Sequence, residues 1–139
     1  MIEKKFVLEG SPQELAGVRS EMRTLLKQAG FDEKASGEVI LALDEQLSNI
    51  IRHGYGGRAG RIEVSVDVSG GILHIAIKDF GKKFNPLNQP MPKLPRETPG
   101  GLGIFLTREL MDEVLYDESF TGGNLLRLTK YKKKPASFS

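Results

Sequence analysis

Residues 62–68 alternate without exception between the apolar side chains Ile62, Val64, Val66 and Val68 and the polar ones Glu63, Ser65 and Asp67. A period of two puts each set on its own face of a strand, so this segment predicts a β-strand with one buried and one wet face. Ser69-Gly70-Gly71 is a tight-turn signal, and Ile72 to Lys78 then alternates again, which completes a hairpin. His74, between Leu73 and Ile75, falls on its polar face. A sheet with one apolar face needs a covering layer, and helical segments elsewhere in the chain can supply it.

Ser11 reads as an N-cap, with Pro12 at the first helical position and Glu14 three residues on, so a helix is expected to begin there. Leu15, Val18, Met22, Leu25 and Leu26 keep helical spacing up to a stop at Ala29-Gly30. Asp32 is the next N-cap, and Ala35, Val39, Leu43, Leu47 and Ile50, supported by Ile40 and Ile51, form the stripe of a longer helix ending near His53-Gly54. Lys4 to Leu8 reads as a first strand and Leu102 to Met111 as a third helix. Val114 to Asp117 and Asn124 to Lys130 read as closing strands around Thr121-Gly122-Gly123. Helices lying before and between antiparallel strands predict an α+β fold with the helices on one face of the sheet.

From Phe80 to Pro99 the prolines at 86, 90, 92, 95 and 99 repeatedly remove backbone donors, so regular structure is not expected. A loop of this length within a compact fold reads as a functional lid. At 139 residues the chain is expected to form one domain, with the lid over about 85–99 and a basic tail at 132–139. The absence of Cys excludes disulfides and thiolate metal sites, and two His argue against zinc. No apolar run approaches the roughly 18 residues of a membrane span, and the charged and apolar alternation of MIEKKFVLEG is not a signal peptide, so a cytoplasmic protein is expected. The run KYKKK at 130–134 reads as a solvated strand end and tail, not as a nucleic-acid or membrane patch.

Three motifs carry chemistry. Glu45 and Asn49, four apart in LALDEQLSNIIRHGYGG, share a helix face with His53 that is largely distinct from the apolar stripe. An acid and an amide so placed can share a hydrated Mg²⁺, which takes oxygen ligands and keeps several waters; alternatively Asn49 holds the ion and Glu45 acts as a general base. Alone, the pair reads more readily as a solvated helix face, and His53 as a surface group favoured by the helix C-terminus. Asp79, closing a strand, can accept from an exocyclic amine such as that of adenine, while Gly81 lets a base or ribose approach the backbone. Gly100, Gly101 and Gly103 enter the third helix, where free N–H groups and the positive end of the helix dipole favour phosphate. The Lys-Ser/Thr of a P-loop is missing, as is the preceding strand of a dinucleotide fingerprint.

In this order the motifs resemble the Bergerat-type ATP-binding fold shared by gyrase-type topoisomerases, a heat-shock chaperone, sensor histidine kinases and mismatch-repair ATPases. That resemblance implies a two-layer α+β sandwich with a mixed, mostly antiparallel sheet. Within it the chain is similar to bacterial anti-sigma factors of the serine-protein-kinase type, over roughly residues 5–131. DEQLSNIIRHGYGG stands as the Asn box, DFGKKFNP as the first Gly box and GGLGIFLTRELMDEV as the second.

The resemblance implies an ATP- and Mg²⁺-dependent protein kinase that sequesters a sigma factor and phosphorylates a small antagonist protein of the STAS type. Glu45 would activate the acceptor serine, Asn49 would bind Mg²⁺, and Asp79 beside Gly81 would contact adenine. Gly101, Leu102 and Gly103 would wrap the phosphates through their backbones, and Arg96 would reach the γ-phosphate from the lid. A homodimer is compatible with the family; contact with nucleic acid or membrane is not implied. The alternative is a nucleotide-dependent binding module that transfers nothing. Two departures stand out: the first Gly box reads Asp-x-Gly-x-x-Phe, with Phe84 in place of a glycine turn, and Asn124 stands where a Thr near the adenine-binding Asp is usual.

Overall fold

A computed structural model of the protein describes residues 1–88 and 102–132. The expectations placed on Arg96, Gly101, most of the 85–99 loop and the tail beyond Lys132 lie outside the described residues. The elements run β1 (Ile2–Leu8), α1 (Glu14–Gln28), α2 (Glu33–Asn49), β2 (Ile62–Ser69), β3 (Ile72–Asp79), α3 (Leu102–Leu110), β4 (Glu113–Tyr116) and β5 (Asn124–Tyr131). The five strands lie in the order β1-β2-β3-β5-β4, and all four pairings are antiparallel. Strand β1 starts at Ile2, earlier than its alternation suggested, because Ile2 pairs with Val68 at the far end of β2.

The 62–79 hairpin forms as its pattern predicts, with Ser69 opposite Ile72 and the turn made by Gly70 and Gly71 at φ +60° and +77°. Two successive positive φ values are what a two-residue turn between right-twisted strands requires. Ile62, Val64, Val66, Leu73, Ile75, Ile77 and Leu128 are buried on one face. Met22, Leu26, Val39, Leu43 and Leu47 from α1 and α2 join them in a single core cluster. Each such side chain contributes about 1.5–3 kcal/mol on burial, against about 0–1 kcal/mol for an exposed ion pair, so this layer contact carries the fold. The other sheet face bears Lys5, Glu63, Ser65, Asp67, His74, Lys78, Arg127 and Thr129 around an open groove.

Helix α2 is capped as expected, Asp32 Oδ1 accepting from Ala35 N–H at 2.7 Å. The start of α1 differs. Ser11 does not cap it; its hydroxyl bonds the Gln13 side chain instead. The Glu14 carboxylate collects the N–H groups of Glu9, Gly10 and Ser11 at 2.8–3.1 Å, so Ser11 to Gln13 form a turn and the helix begins at Glu14. Beyond Asn49 the last turn of α2 widens to π-helical spacing over Ile50–Gly54. Lys130, read from sequence as part of a solvated run, is buried: its ammonium donates to the Leu110 carbonyl at the end of α3 and pairs with Glu38 at 3.4 Å. Among the described residues no helix is long and apolar enough to cross a membrane.

Candidate functional site

The site begins where α3 crosses α2. A β-carbon added at Gly103 would lie 2.6 Å from Asn49 Nδ2, 3.1 Å from Glu45 Cγ and 3.2 Å from Glu45 Oε1. Glycine lets the second Gly box come this close to the acid and amide of the Asn box without displacing their side chains. Gln46 and Thr107, both buried, fasten the crossing: Gln46 Nε2 donates to Thr107 Oγ1 at 2.8 Å, and Thr107 Oγ1 donates to the Gly103 carbonyl at 2.8 Å. The Asn49 oxygen accepts from Arg52 Nη2 at 2.9 Å. A carbonyl oxygen has two lone pairs, so one remains for a cation. A single amide oxygen suits Mg²⁺, an ion that prefers water and phosphate oxygens to an all-protein cage.

At the other end β3 delivers Asp79, which is 5% exposed. Its Oδ1 accepts from Gly81 N–H and from Asn124 Nδ2, each at 3.0 Å. A β-carbon at Gly81 would come within 2.0 Å of the Gly54 carbonyl oxygen, so the first Gly box packs directly on the end of α2. Asn124, the first residue of β5, uses its whole amide: Nδ2 also donates to the Lys82 carbonyl at 2.9 Å, while Oδ1 accepts from Phe84 N–H at 2.8 Å and from Tyr116 hydroxyl at 2.7 Å.

Between the two ends lies a cavity of about 680 Å³. Asn49, His53, Asp79, Phe84 and Asn124 line it, with Ile50, Ile77, Ile104 and Leu126 forming apolar walls. A volume of this order, apolar sides and a few fixed polar groups describe a small-molecule site. A buried acceptor in the lining suits a base amine, and an amide in the lining, with an acid and a helix start next to it, suits phosphates and a divalent cation.

The chain belongs to the histidine kinase-like ATPase domain family, which it matches over residues 8–130. The class is one of nucleotide-binding domains. Among its relatives, a serine-protein kinase RsbW from Bacillus mycoides is 28% identical over 130 residues, covering 84% of this chain and 77% of that one. An anti-sigma F factor from Thermoanaerobacter is 30% identical over 98 residues, 68% of each chain. The fold is that of a crystal structure of the RsbU and RsbW domains of a Mycobacterium tuberculosis protein, at 21% identity and a TM-score of 0.71; all of this chain and 35% of that one are covered. A mycobacterial sensor histidine kinase, MprB, has the same fold at 15% identity and a TM-score of 0.56.

Of the residues singled out from sequence, Asn49, Asp79, Phe84 and Asn124 line the cavity, while Glu45 and Gly103 adjoin Asn49, and Gly81 adjoins Asp79, without being among its lining residues. Leu102 opens α3. Phe84 follows the place of the second glycine in Asp-x-Gly-x-Gly, and the residue occupying that place is Lys83. Its ammonium lies over the Tyr116 ring and donates to the Phe120 carbonyl at 2.8 Å. Sequence reasoning missed Gln46, Thr107, Arg52 and Tyr55. A polar residue at a buried helical position was the available signal for Gln46, and the four-residue step from Gly103 was that for Thr107.

Proposed function

We propose that this protein is an anti-sigma regulator with ATP- and Mg²⁺-dependent serine/threonine kinase activity toward a small antagonist protein. The observation that carries the reading is that Asn49 and Asp79 line one cavity, and that Gly103 at the start of α3 approaches both Asn49 and its neighbour Glu45. Relatives named serine-protein kinase and anti-sigma F factor support the kinase and its partners.

In this reading Asp79 accepts from the adenine amine, and the start of α3 at Leu102 and Gly103 receives the phosphates, to which Gly101 would add its backbone. Asn49 would hold Mg²⁺, which when bound neutralises phosphate charge. Glu45 takes the proton of the acceptor hydroxyl as that oxygen bonds to the γ-phosphorus and the bond to the departing ADP breaks. The 85–99 segment with Arg96 would cover the phosphates. The sigma factor and the antagonist would bind in turn, in the cytoplasm.

The test uses labelled ATP and STAS-type antagonist proteins as candidate acceptors. Glu45→Ala should lower transfer at least about 100-fold while ATP affinity stays within a few-fold, as loss of a general base does. Asn49→Ala should weaken both. Unchanged transfer in Glu45→Ala would remove that residue from the chemistry, and no transfer by the wild type, with ATP still altering partner affinity, would favour a binding-only module.

A further inference from the structure

Tyr55 is the first residue after the π-helical turn that ends α2. Its hydroxyl accepts from Phe80 N–H at 2.8 Å and donates to the Arg61 carbonyl. The ring is seated by Gly60, where a β-carbon would come within 2.4 Å of its edge. The Phe80 N–H belongs to the peptide that leaves Asp79, and the carbonyl of the same peptide is pinned from the other side: a β-carbon on Gly123 would lie 2.1 Å from Asp79 O. One peptide unit is therefore clamped through its N–H by the end of α2 and through its C=O by the start of β5. Displacement of that peptide would shift the Asp79 backbone and with it the carboxylate, whose Oδ1 accepts from Gly81 and Asn124. Burial pushes the Tyr55 hydroxyl above the ordinary tyrosine pKa, and the Asp79 charge adds to this against the opposing Phe80 hydrogen bond, so it stays a neutral donor and acceptor through the physiological range.

We propose that Tyr55 is a positioning residue for base recognition, its hydroxyl fixing the peptide that aims the Asp79 carboxylate at the amine of the bound base. This rests on the reading of Asp79 as the adenine contact. The hydroxyl also ties the end of the Asn49-bearing helix to the end of the Asp79-bearing strand, beside the close approach of Gly81 to the Gly54 carbonyl.

The experiment is calorimetric titration of the full chain with ATP and with inosine triphosphate, whose carbonyl replaces the adenine amine and cannot donate to a carboxylate. Wild type should prefer ATP by about tenfold or more, the scale of one well-placed hydrogen bond to a charged group. Tyr55→Phe should lose most of that preference, ATP weakening about tenfold and inosine triphosphate changing less than about twofold. A purely structural role would lower the melting temperature and leave the preference intact; a preference kept within about twofold overturns the proposal. Should Tyr55→Phe fail to fold, Gly60→Ala decides: it displaces the ring with the hydroxyl retained, and the same loss of preference is expected. Asp79→Asn separates the two levels. If it leaves the preference intact, or if wild type does not discriminate, the reading of Asp79 falls and the role of Tyr55 with it; if it abolishes the preference while both Tyr55→Phe and Gly60→Ala keep it, only the role of Tyr55 falls.

Discussion

Asn124 donates to the Asp79 carboxylate at 3.0 Å, and no hydrogen-bonding position of its amide is left over. The two departures from the family pattern thereby become one arrangement. Without the second glycine, the first Gly box is held by Asn124, which bonds Lys82 O and Phe84 N, and the smaller Thr usual at this place could not make all of these bonds. Asn124 thus holds Asp79 and the 82–84 backbone in place, and on the proposed reading of Asp79 that would be its part in nucleotide binding.

Asn124→Ala removes these bonds and leaves the Tyr116 hydroxyl and Phe84 N–H without this partner. Of the four partners only Asp79 and Tyr116 are buried, and loss of a hydrogen bond to such groups costs about 1–3 kcal/mol; with Asp79 no longer held, ATP affinity is expected to fall about 10- to 100-fold. Calorimetry beside thermal melting checks this. Asn124→Thr should fall between Ala and wild type, because a hydroxyl can serve Asp79 but not also Lys82 and Phe84.

Gly103→Ala has an unusual expected sign. In an ordinary helix interior Gly→Ala stabilises by about 1 kcal/mol. Here the new methyl meets Asn49 Nδ2 at 2.6 Å, Glu45 Cγ at 3.1 Å and Glu45 Oε1 at 3.2 Å, so the Asn49 amide must swing away and the Glu45 side chain must shift by a few tenths of an ångström, both at small cost. Melting should therefore change little, while Mg²⁺-dependent ATP affinity should drop at least about tenfold, the scale of one displaced polar contact. Equal affinity for ATP in variant and wild type would show that the Gly103 contact does not shape the site.

Much of the fold was legible because its signals are local. The hairpin needed only period-two alternation and Gly70-Gly71, and α2 needed only Asp32 and its apolar stripe. Signals set by partners distant in sequence were not legible. Lys130 looked solvated in a basic run, yet it is buried under α3 because Leu110 and Glu38 wait there. The start of α1 was misplaced because Glu14 serves three N–H groups of the preceding chain instead of leaving Ser11 to cap. In the site, Glu45, Asn49 and Asp79 were recognisable from motif order. Tyr55 was not, since nothing near it in sequence announces that its hydroxyl meets Phe80.

Asp117 supplies a pH signature at the β4–β5 connection. Hydrogen bonds from Ser119 and Arg127 hold its carboxyl down from the usual 3.8 to about 2. A depressed carboxylate contributes stability that is present above the unfolded value and lost as pH falls through the folded one. Its contribution should fade from near pH 4 towards pH 2, and Arg127→Gln should raise the carboxyl midpoint in an NMR titration. A midpoint unchanged by that substitution would show that Arg127 is not among its causes.

Lys130→Met separates stability from binding. The substitution keeps most of the buried stem but removes the ammonium that caps the C-terminal carbonyl of α3 and faces Glu38. Glu38 is partly exposed and can turn to water, so the loss should be smaller than for a fully buried pair: about 1–3 kcal/mol, from an uncapped carbonyl and a lost favourable charge at a helix C-terminus. For a chain of this size that lowers the melting temperature by about 3–12 °C. The contact lies at the opposite end of α3 from Gly103, so ATP affinity at a temperature well below melting should stay within about threefold, less than one hydrogen bond's worth. A large loss of affinity with little change in melting would mean that Lys130 governs where α3 meets Asn49, a role that no contact of its side chain with the cavity explains.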